Sequence, residues 1–241
     1  MKLISLNIWG GRIHQPLRDF INRHKNVDIF CFQEIYHNAP DQMTENARQP
    51  VLNIFNEIKG LLPEHNAFFR PVLRDCYGIG MFVKKSINVL EEGDIIIHDR
   101  PEIISGGAHS RNLQWANCRS NNKTFHIINV HGLWNGMGKT DTADRITQSQ
   151  KIKNFVSSVS NPKVLCGDFN LRPDTQSIQM LEDGLTNLIK KFNISSTRTS
   201  FYDKSEKFAD YAFISPDVKI NDFRILPDEV SDHAAMYLEF E

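Results

Sequence analysis

The chain has 241 residues, 40% of them hydrophobic and 24% charged, which is enough for one sizeable core. It holds no unbroken apolar run of membrane-spanning length. Twenty-eight Lys and Arg against 29 Asp and Glu leave a formal charge of -1, so the net field does not by itself draw in a polyanion, and nucleic acid is allowed without being announced.

Cys31, Cys76, Cys118 and Cys166 lie far apart with no CxxC pair, a pattern of buried free thiols more than of a disulfide framework or a zinc site. After Met1, the residues Asn7 and Gly10-Gly11 soon interrupt any apolar core of a leader. A secretory signal is therefore not expected, and a cytoplasmic monomer is the default.

Leu3 to Trp9 reads as a strand, and Pro16 suits the start of a helix that sets Leu17, Phe20, Ile21 and His24 on one face. Val27 to Ile35 is nearly continuous in apolar residues, as in a strand buried on both faces, until Gln33-Glu34 closes it. Pro50 suits a second helix start, with Val51, Ile54, Phe55 and Ile58 as its stripe and Gly60 and Pro63 as stop signals. Strands are then predicted over 67–73, 77–83, 87–97, 112–119 and 124–131, close enough in sequence to pair antiparallel within a mixed sheet. Leu133 to Asp141 reads as a surface loop, and Ile152, Phe155, Val156 and Val159 mark a helical face. Lys163 to Cys166 is a short strand running into Gly167-Asp168-Phe169-Asn170. A helix over 176–181, a polar loop over 195–200, and strands over 211–214, 220–226 and 235–240 complete the chain. No repeat or Pro/Gly-rich linker divides it, so residues 1–241 are expected to form a single domain.

Polar groups recur where these apolar strands end: Asn7, Gln33-Glu34, Asn129-Val130-His131, Asp168-Phe169-Asn170, Asp210 and Ser231-Asp232-His233. Any one of them has a structural explanation as a helix cap or an Asx turn. Six together supply carboxylates, amides and imidazoles, the set needed to hold a hard cation, orient a water and move a proton.

In this order, the segments Leu6-Asn7-Ile8-Trp9-Gly10, Phe32-Gln33-Glu34, Val130-His131-Gly132-Leu133, Gly167-Asp168-Phe169-Asn170, Ala209-Asp210-Tyr211-Ala212-Phe213 and Ser231-Asp232-His233 resemble the endonuclease/exonuclease/phosphatase superfamily of DNase I-like phosphoesterases. The resemblance implies an α/β fold, a four-layered α/β/β/α sandwich of two mixed sheets, with the site at the strand ends where its halves meet. It implies a metal held by Glu34 with Asn7 and Asp232 nearby. One or two ions are expected, Mg²⁺ or Mn²⁺, because Asp168 and Asn170 read either as water-orienting groups or as ligands of a second cation. Asp168 matches the residue that orients or deprotonates the attacking water, with Asn170 pointing the same way if the segment is extended and Phe169 turned to the core. Asp210 and His233 match an Asp/His pair in which the carboxylate fixes the imidazole and favours its charged form. His131 matches a position suited to donate to a phosphoryl oxygen or to the leaving group. The implied reaction is in-line attack of water on phosphorus.

Arg111 resembles substrate-side arginines of some branches, with a solvated strand-end arginine as the alternative. Trp9 and Trp134 invite stacking on a base or a lipid head group, or else cover the core edge. Gly78-Ile79-Gly80 lacks the third glycine of a dinucleotide loop. His14, His24, His37, His65, His98, His109 and His126 show no metal spacing and read as surface or ordinary structural histidines.

The chain is close to the minimal length for such a fold, which favours a nuclease acting on DNA or RNA or a general phosphodiesterase. Lipid or inositol phosphoesterase is the alternative, and a non-catalytic phosphate-binding module the lesser one. Against a nuclease, Arg12, Lys84, Lys85, Lys139, Arg172 and Arg198 form no contiguous basic run. Trp9 also stands where the abasic-site branch tends to carry a second asparagine, and that branch does not usually place histidine at the His131 position.

Overall fold

The computed structural model describes residues 1–40, 50–100, 108–120, 122–160 and 162–241. Two six-stranded sheets stack face to face. The first is built from β1 (Lys2–Asn7), β2 (Ile29–Tyr36), β3 (His65–Leu73), β4 (Tyr77–Lys84), β11 (Ile220–Ile225) and β12 (Met236–Phe240), in the order β11-β12-β1-β2-β4-β3. The second joins β5 (Asn88–His98), β6 (Arg111–Ser120), β7 (Lys123–His131), β8 (Lys163–Asp168), β9 (Thr186–Asn187) and β10 (Asp210–Ile214), in the order β5-β6-β7-β8-β10-β9. The predicted block of neighbouring antiparallel strands exists but divides, β3-β4 going to one sheet and β5-β6-β7 to the other. Each sheet has one parallel pair near its centre, β1 with β2 and β7 with β8.

The period of two assigns the layers. Leu3 and Ile29 point to the interface between the sheets, whereas Ile4, Leu6, Phe30 and Phe32 point outward. There they meet Leu17, Phe20 and Ile21 of α1 (His14–Arg23) and Ile54, Phe55 and Ile58 of α2 (Ile54–Leu61). The second sheet buries Ile152 and Val156 of α3 (Ala143–Ser158) and Ile178 and Leu181 of α4 (Gln176–Leu181). All four cysteines are free and buried, and burial together with a hydrogen bond to Cys166 pushes the Cys31 thiol well up. Among the described residues no helix is long and apolar enough to cross a membrane.

Several boundaries differ from the sequence reading. β1 stops at Asn7, because Trp9 and Gly10 take left-handed φ of 51° and 65° and close a 3-10 turn over Trp9–Gly11. Helix α1 begins at His14, two residues ahead of Pro16, since a proline in the first turn lacks only an N–H that has no intrahelical partner anyway. Pro50 lies four residues before α2. The two-residue β9 and α5 (Leu188–Lys191) were not foreseen.

Between the sheets, Gln33 Nε2 donates to Asn129 Oδ1 at 2.7 Å, and Asn129 Nδ2 donates to the carbonyls of Phe32 and Gly80. These fully buried amides tie β2 and β4 to β7 immediately below the ends that carry the polar clusters.

Candidate active site

The parallel registers bring the polar strand ends together. Asn7 pairs with Gln33 across β1 and β2, and His131 pairs with Asp168 across β7 and β8; Asp210 opens β10 opposite Asp168. Glu34 sits at a register shift between Phe32 and Ile35, with φ of 58°, so an irregularity in β2 aims its carboxylate. Such a conformation is costly for a residue with a Cβ and clusters at functional sites.

Asn7 joins the two halves. Its Nδ2 donates to Glu34 Oε1 and to Asp168 Oδ2, both at 3.0 Å, while its Oδ1 accepts the Trp9 N–H. These contacts space the two carboxylates and set Asn7 beside Glu34, the residue with which it was expected to act at the metal. Its backbone carbonyl accepts Ser231 Oγ at 2.7 Å, which anchors the C-terminal Ser-Asp-His segment.

Glu34, His131, Asp168, Asn170, Asp232 and His233 line one cavity of about 240 Å³, with Asn7 and Asp210 directly behind them. His131 Nε2 lies 3.9 Å from both Glu34 and Asp168, and His233 Nε2 lies 3.7 Å from Asp168. His233 Nδ1 is 2.9 Å from each oxygen of Asp210. Asn170 reaches the cavity by a route other than the expected strand alternation. β8 ends at Asp168, Asn170 has φ of 54°, and its N–H donates to Asp168 Oδ1 in an Asx turn. Phe169 is in the core, as expected.

The two imidazoles are held in opposite states. Burial and then Arg111 push the His131 pKa well below its ordinary value, so this ring is neutral and offers one N–H. Burial and Arg198 act in the same sense on His233, but Asp210, Asp168 and Asp232 more than offset them and raise its pKa. Burial would raise the Asp168 carboxyl, yet His233 first, with Lys139 and Arg198, holds it far below the usual range. Asp168 is therefore ionised. Burial raises Glu34, and Asp232 and Asp168 add to the rise against the Asn7 hydrogen bond. A carboxylate crowded by two others, all of them hard oxygen donors, suits a divalent cation such as Mg²⁺. Asp168, Asp210 and His233 also bring one ligand atom each within 4.8 Å of one another and could hold a metal.

Sequence reasoning missed part of the wall. Tyr77, His109, Lys139, Arg198, Tyr202 and Lys204 line the cavity beside Arg111, Trp9 and Trp134. His109, read as an ordinary histidine, packs on Arg111, and burial with that guanidinium pulls its pKa down to about 3. Arg111 is itself buried and donates through Nε to the Gly132 carbonyl at 2.9 Å, so it is no solvated strand end. The basic residues scattered in sequence partly converge in space: Arg198 pairs with Asp232 at 3.3 Å, and Lys139 Nζ donates to Asn170 Oδ1 at 3.0 Å. Residues 133–141 are more than a surface loop. Arg145 in the first turn of α3 donates to the carbonyls of Leu133 and Thr140, and Gln148 accepts the Leu133 N–H, which fixes the turn that carries Lys139.

Residues 4–233 match the model of the Endonuclease/Exonuclease/phosphatase family. No curated protein sequence matches the chain. Among solved structures, a mannosyl-6-phosphatase of Bacteroides thetaiotaomicron VPI-5482 is similar with a TM-score of 0.75 at 19% identity, covering 100% of this chain and 99% of its own. TDP2 of D. rerio complexed with a single-strand DNA product gives 0.74 at 17% identity, covering 100% and 98%. The catalytic domain of human Nocturnin with bound sulfate gives 0.71 at 17% identity, covering 100% and 93%. At these identities the likeness shows the fold alone.

Proposed function

The chain belongs to the endonuclease/exonuclease/phosphatase family, and from that premise we propose that it is a metal-dependent phosphoesterase that hydrolyses its substrate by in-line attack of water. The observation that carries this reading is the Asn7 bridge, which holds Glu34 and Asp168 at 3.0 Å from one amide, with both histidine Nε2 atoms within 4 Å of Asp168. Glu34 and Asp232 are the residues that would hold the cation, with Asn7 orienting Glu34. Bound there, a divalent ion would draw charge from a phosphoryl oxygen.

The chain's own groups divide the remaining work. Asp168, kept ionised by the surrounding cations, accepts a proton from the attacking water, and Asn170, set by its Asx turn, helps orient that water. His233, charged and steadied by Asp210, stabilises negative charge on the phosphoryl oxygens. Neutral His131 donates its N–H to a non-bridging oxygen. Its lowered pKa argues against the other expected role, proton donation to the leaving group. Arg111 reaches the same cavity from the substrate side.

On substrate, a DNA or RNA strand is the first reading. Trp9, Trp134 and Tyr202 line the cavity, each with a cationic side chain over its ring, and such cation-and-aromatic walls suit single-stranded nucleic acid. A second reading, a small phosphorylated ester, is favoured by the cavity's 240 Å³, below the usual range of ligand pockets. The test is hydrolysis with and without Mg²⁺ over single- and double-stranded DNA, RNA, a nitrophenyl phosphodiester, sugar phosphates and inositol lipids. Metal-dependent turnover of at least one is expected. Mg²⁺ binding without turnover of any would support the phosphate-binding-module alternative instead.

A further inference from the structure

Lys139 is 3% exposed, yet among the described residues its ammonium meets a single hydrogen-bond acceptor, the neutral Asn170 side chain, and no carboxylate within ion-pair distance. A buried lysine whose hydrogen-bond acceptor is a neutral amide is costly to maintain. Arg198, whose side chain is 6% exposed, spends one Nη on Asp232, while its Nε is buried with no partner among the described residues. Both side chains line the reaction cavity. Both are also held in place, Lys139 at 5.5 Å from the Trp134 ring, which Lys204 also approaches at 5.3 Å, and Arg198 at 4.0 Å over Tyr202.

We infer that Lys139 and Arg198 form a recognition site for a dianionic terminal phosphoryl group, so that the enzyme prefers phosphate monoesters, or the terminal phosphate of a longer chain, over internal phosphodiesters. A diester offers two non-bridging oxygens and one negative charge. A terminal phosphoryl group offers three such oxygens and up to two charges. Arg111, His131, His233, Lys139 and Arg198 are N–H-bearing residues that line the cavity, in addition to whatever Glu34 and Asp232 hold. That supply exceeds what a diester can use, and unmet buried donors carry a penalty that the third oxygen removes. Hydrolysis then breaks the bond between phosphorus and the ester oxygen, water supplies the new oxygen on phosphorus, and its protons pass to the released alkoxide and to solvent.

This inference rests on the phosphoesterase reading, and its test separates the two. Initial rates on 4-nitrophenyl phosphate and on its methyl diester, which differ by one methyl group, are compared for the wild type and Lys139→Met in Mg²⁺. Lys139→Met is expected to lower kcat/KM for the monoester roughly 10- to 100-fold, the scale of one charge-assisted hydrogen bond, and to lower the diester value far less. Equal losses on both substrates overturn the inference and leave the phosphoesterase reading intact. If neither substrate turns over, the wider substrate panel decides the phosphoesterase reading, and thermal shift with inorganic phosphate decides the inference. Stabilisation of the wild type but not of Lys139→Met supports it, and equal stabilisation overturns it.

Discussion

Replacing Asp210 by Asn keeps the shape of the side chain and one acceptor for His233 Nδ1 but removes the negative charge 2.9 Å from the ring. Two contributions, burial and Arg198, already push the buried imidazole towards its neutral form, and only Asp210, Asp168 and Asp232 hold its pKa above the ordinary value. An opposite charge at such a distance favours the charged ring, so loss of the nearest one should move the His233 pKa down. The sign follows from the direction of the shift. In the wild type the imidazolium persists beyond the ordinary histidine range, and activity that needs it falls only as pH rises through the elevated value. In Asp210→Asn the fall begins at lower pH. Stability follows the same linkage, the histidine's contribution being fully present below its unfolded pKa and lost as pH rises through the folded one. At neutral pH a loss of about 100-fold in kcat/KM is expected, the scale of removing one charge-stabilising donor. The assays are the pH profile of kcat/KM and an NMR titration of the His233 ring. An unmoved alkaline limb together with an unmoved ring titration would refute the assignment of Asp210 as the group that charges His233.

Two further substitutions test the scaffold. Asn129→Leu removes three buried hydrogen bonds between the sheets and leaves two carbonyls and the Gln33 amide short of partners, so unfolding free energy should fall by about 2–4 kcal/mol in urea titration. A change under about 0.5 kcal/mol would mean that the amide bridge is dispensable. Gly167→Ala places a Cβ 2.0 Å from the Val130 carbonyl oxygen at a φ of 137°, and β7 and β8 cannot then keep the register that pairs His131 with Asp168. Loss of soluble folded protein, or at least 3 kcal/mol of stability, is expected; a variant with wild-type melting would show that the strands can separate without cost.

What was legible in the sequence was whatever pattern and local chemistry encode. Val27 to Ile35 announced a buried strand and ended in the polar pair that includes Glu34, but nothing in Phe-Gln-Glu-Ile signals the left-handed φ of 58°, since no glycine or asparagine marks it. Asn170 was found for a partly mistaken reason, its Asx turn replacing the alternation expected of an extended segment. Lys139 and Tyr202 were invisible as site residues because their loops reach the cavity only through distant contacts. Arg145 and Gln148, which fix the Lys139 turn, are wholly buried although polar, so no apolar stripe marks them. Arg111 was singled out by resemblance, whereas His109, two residues before it and packed on it at the cavity, was read as an ordinary histidine because it showed no metal spacing. Strand β9 and helix α5 span two and four residues, too short for any period to register.

The account stands most directly on whether a cation at Glu34 drives hydrolysis. Phosphate ester turnover measured against Mg²⁺ concentration should rise to saturation in the wild type and fall by at least about 100-fold at every concentration in Glu34→Gln, which keeps the Asn7 contact but not the charge. Wild-type turnover indifferent to a chelator, or an undiminished Glu34→Gln, would contradict it.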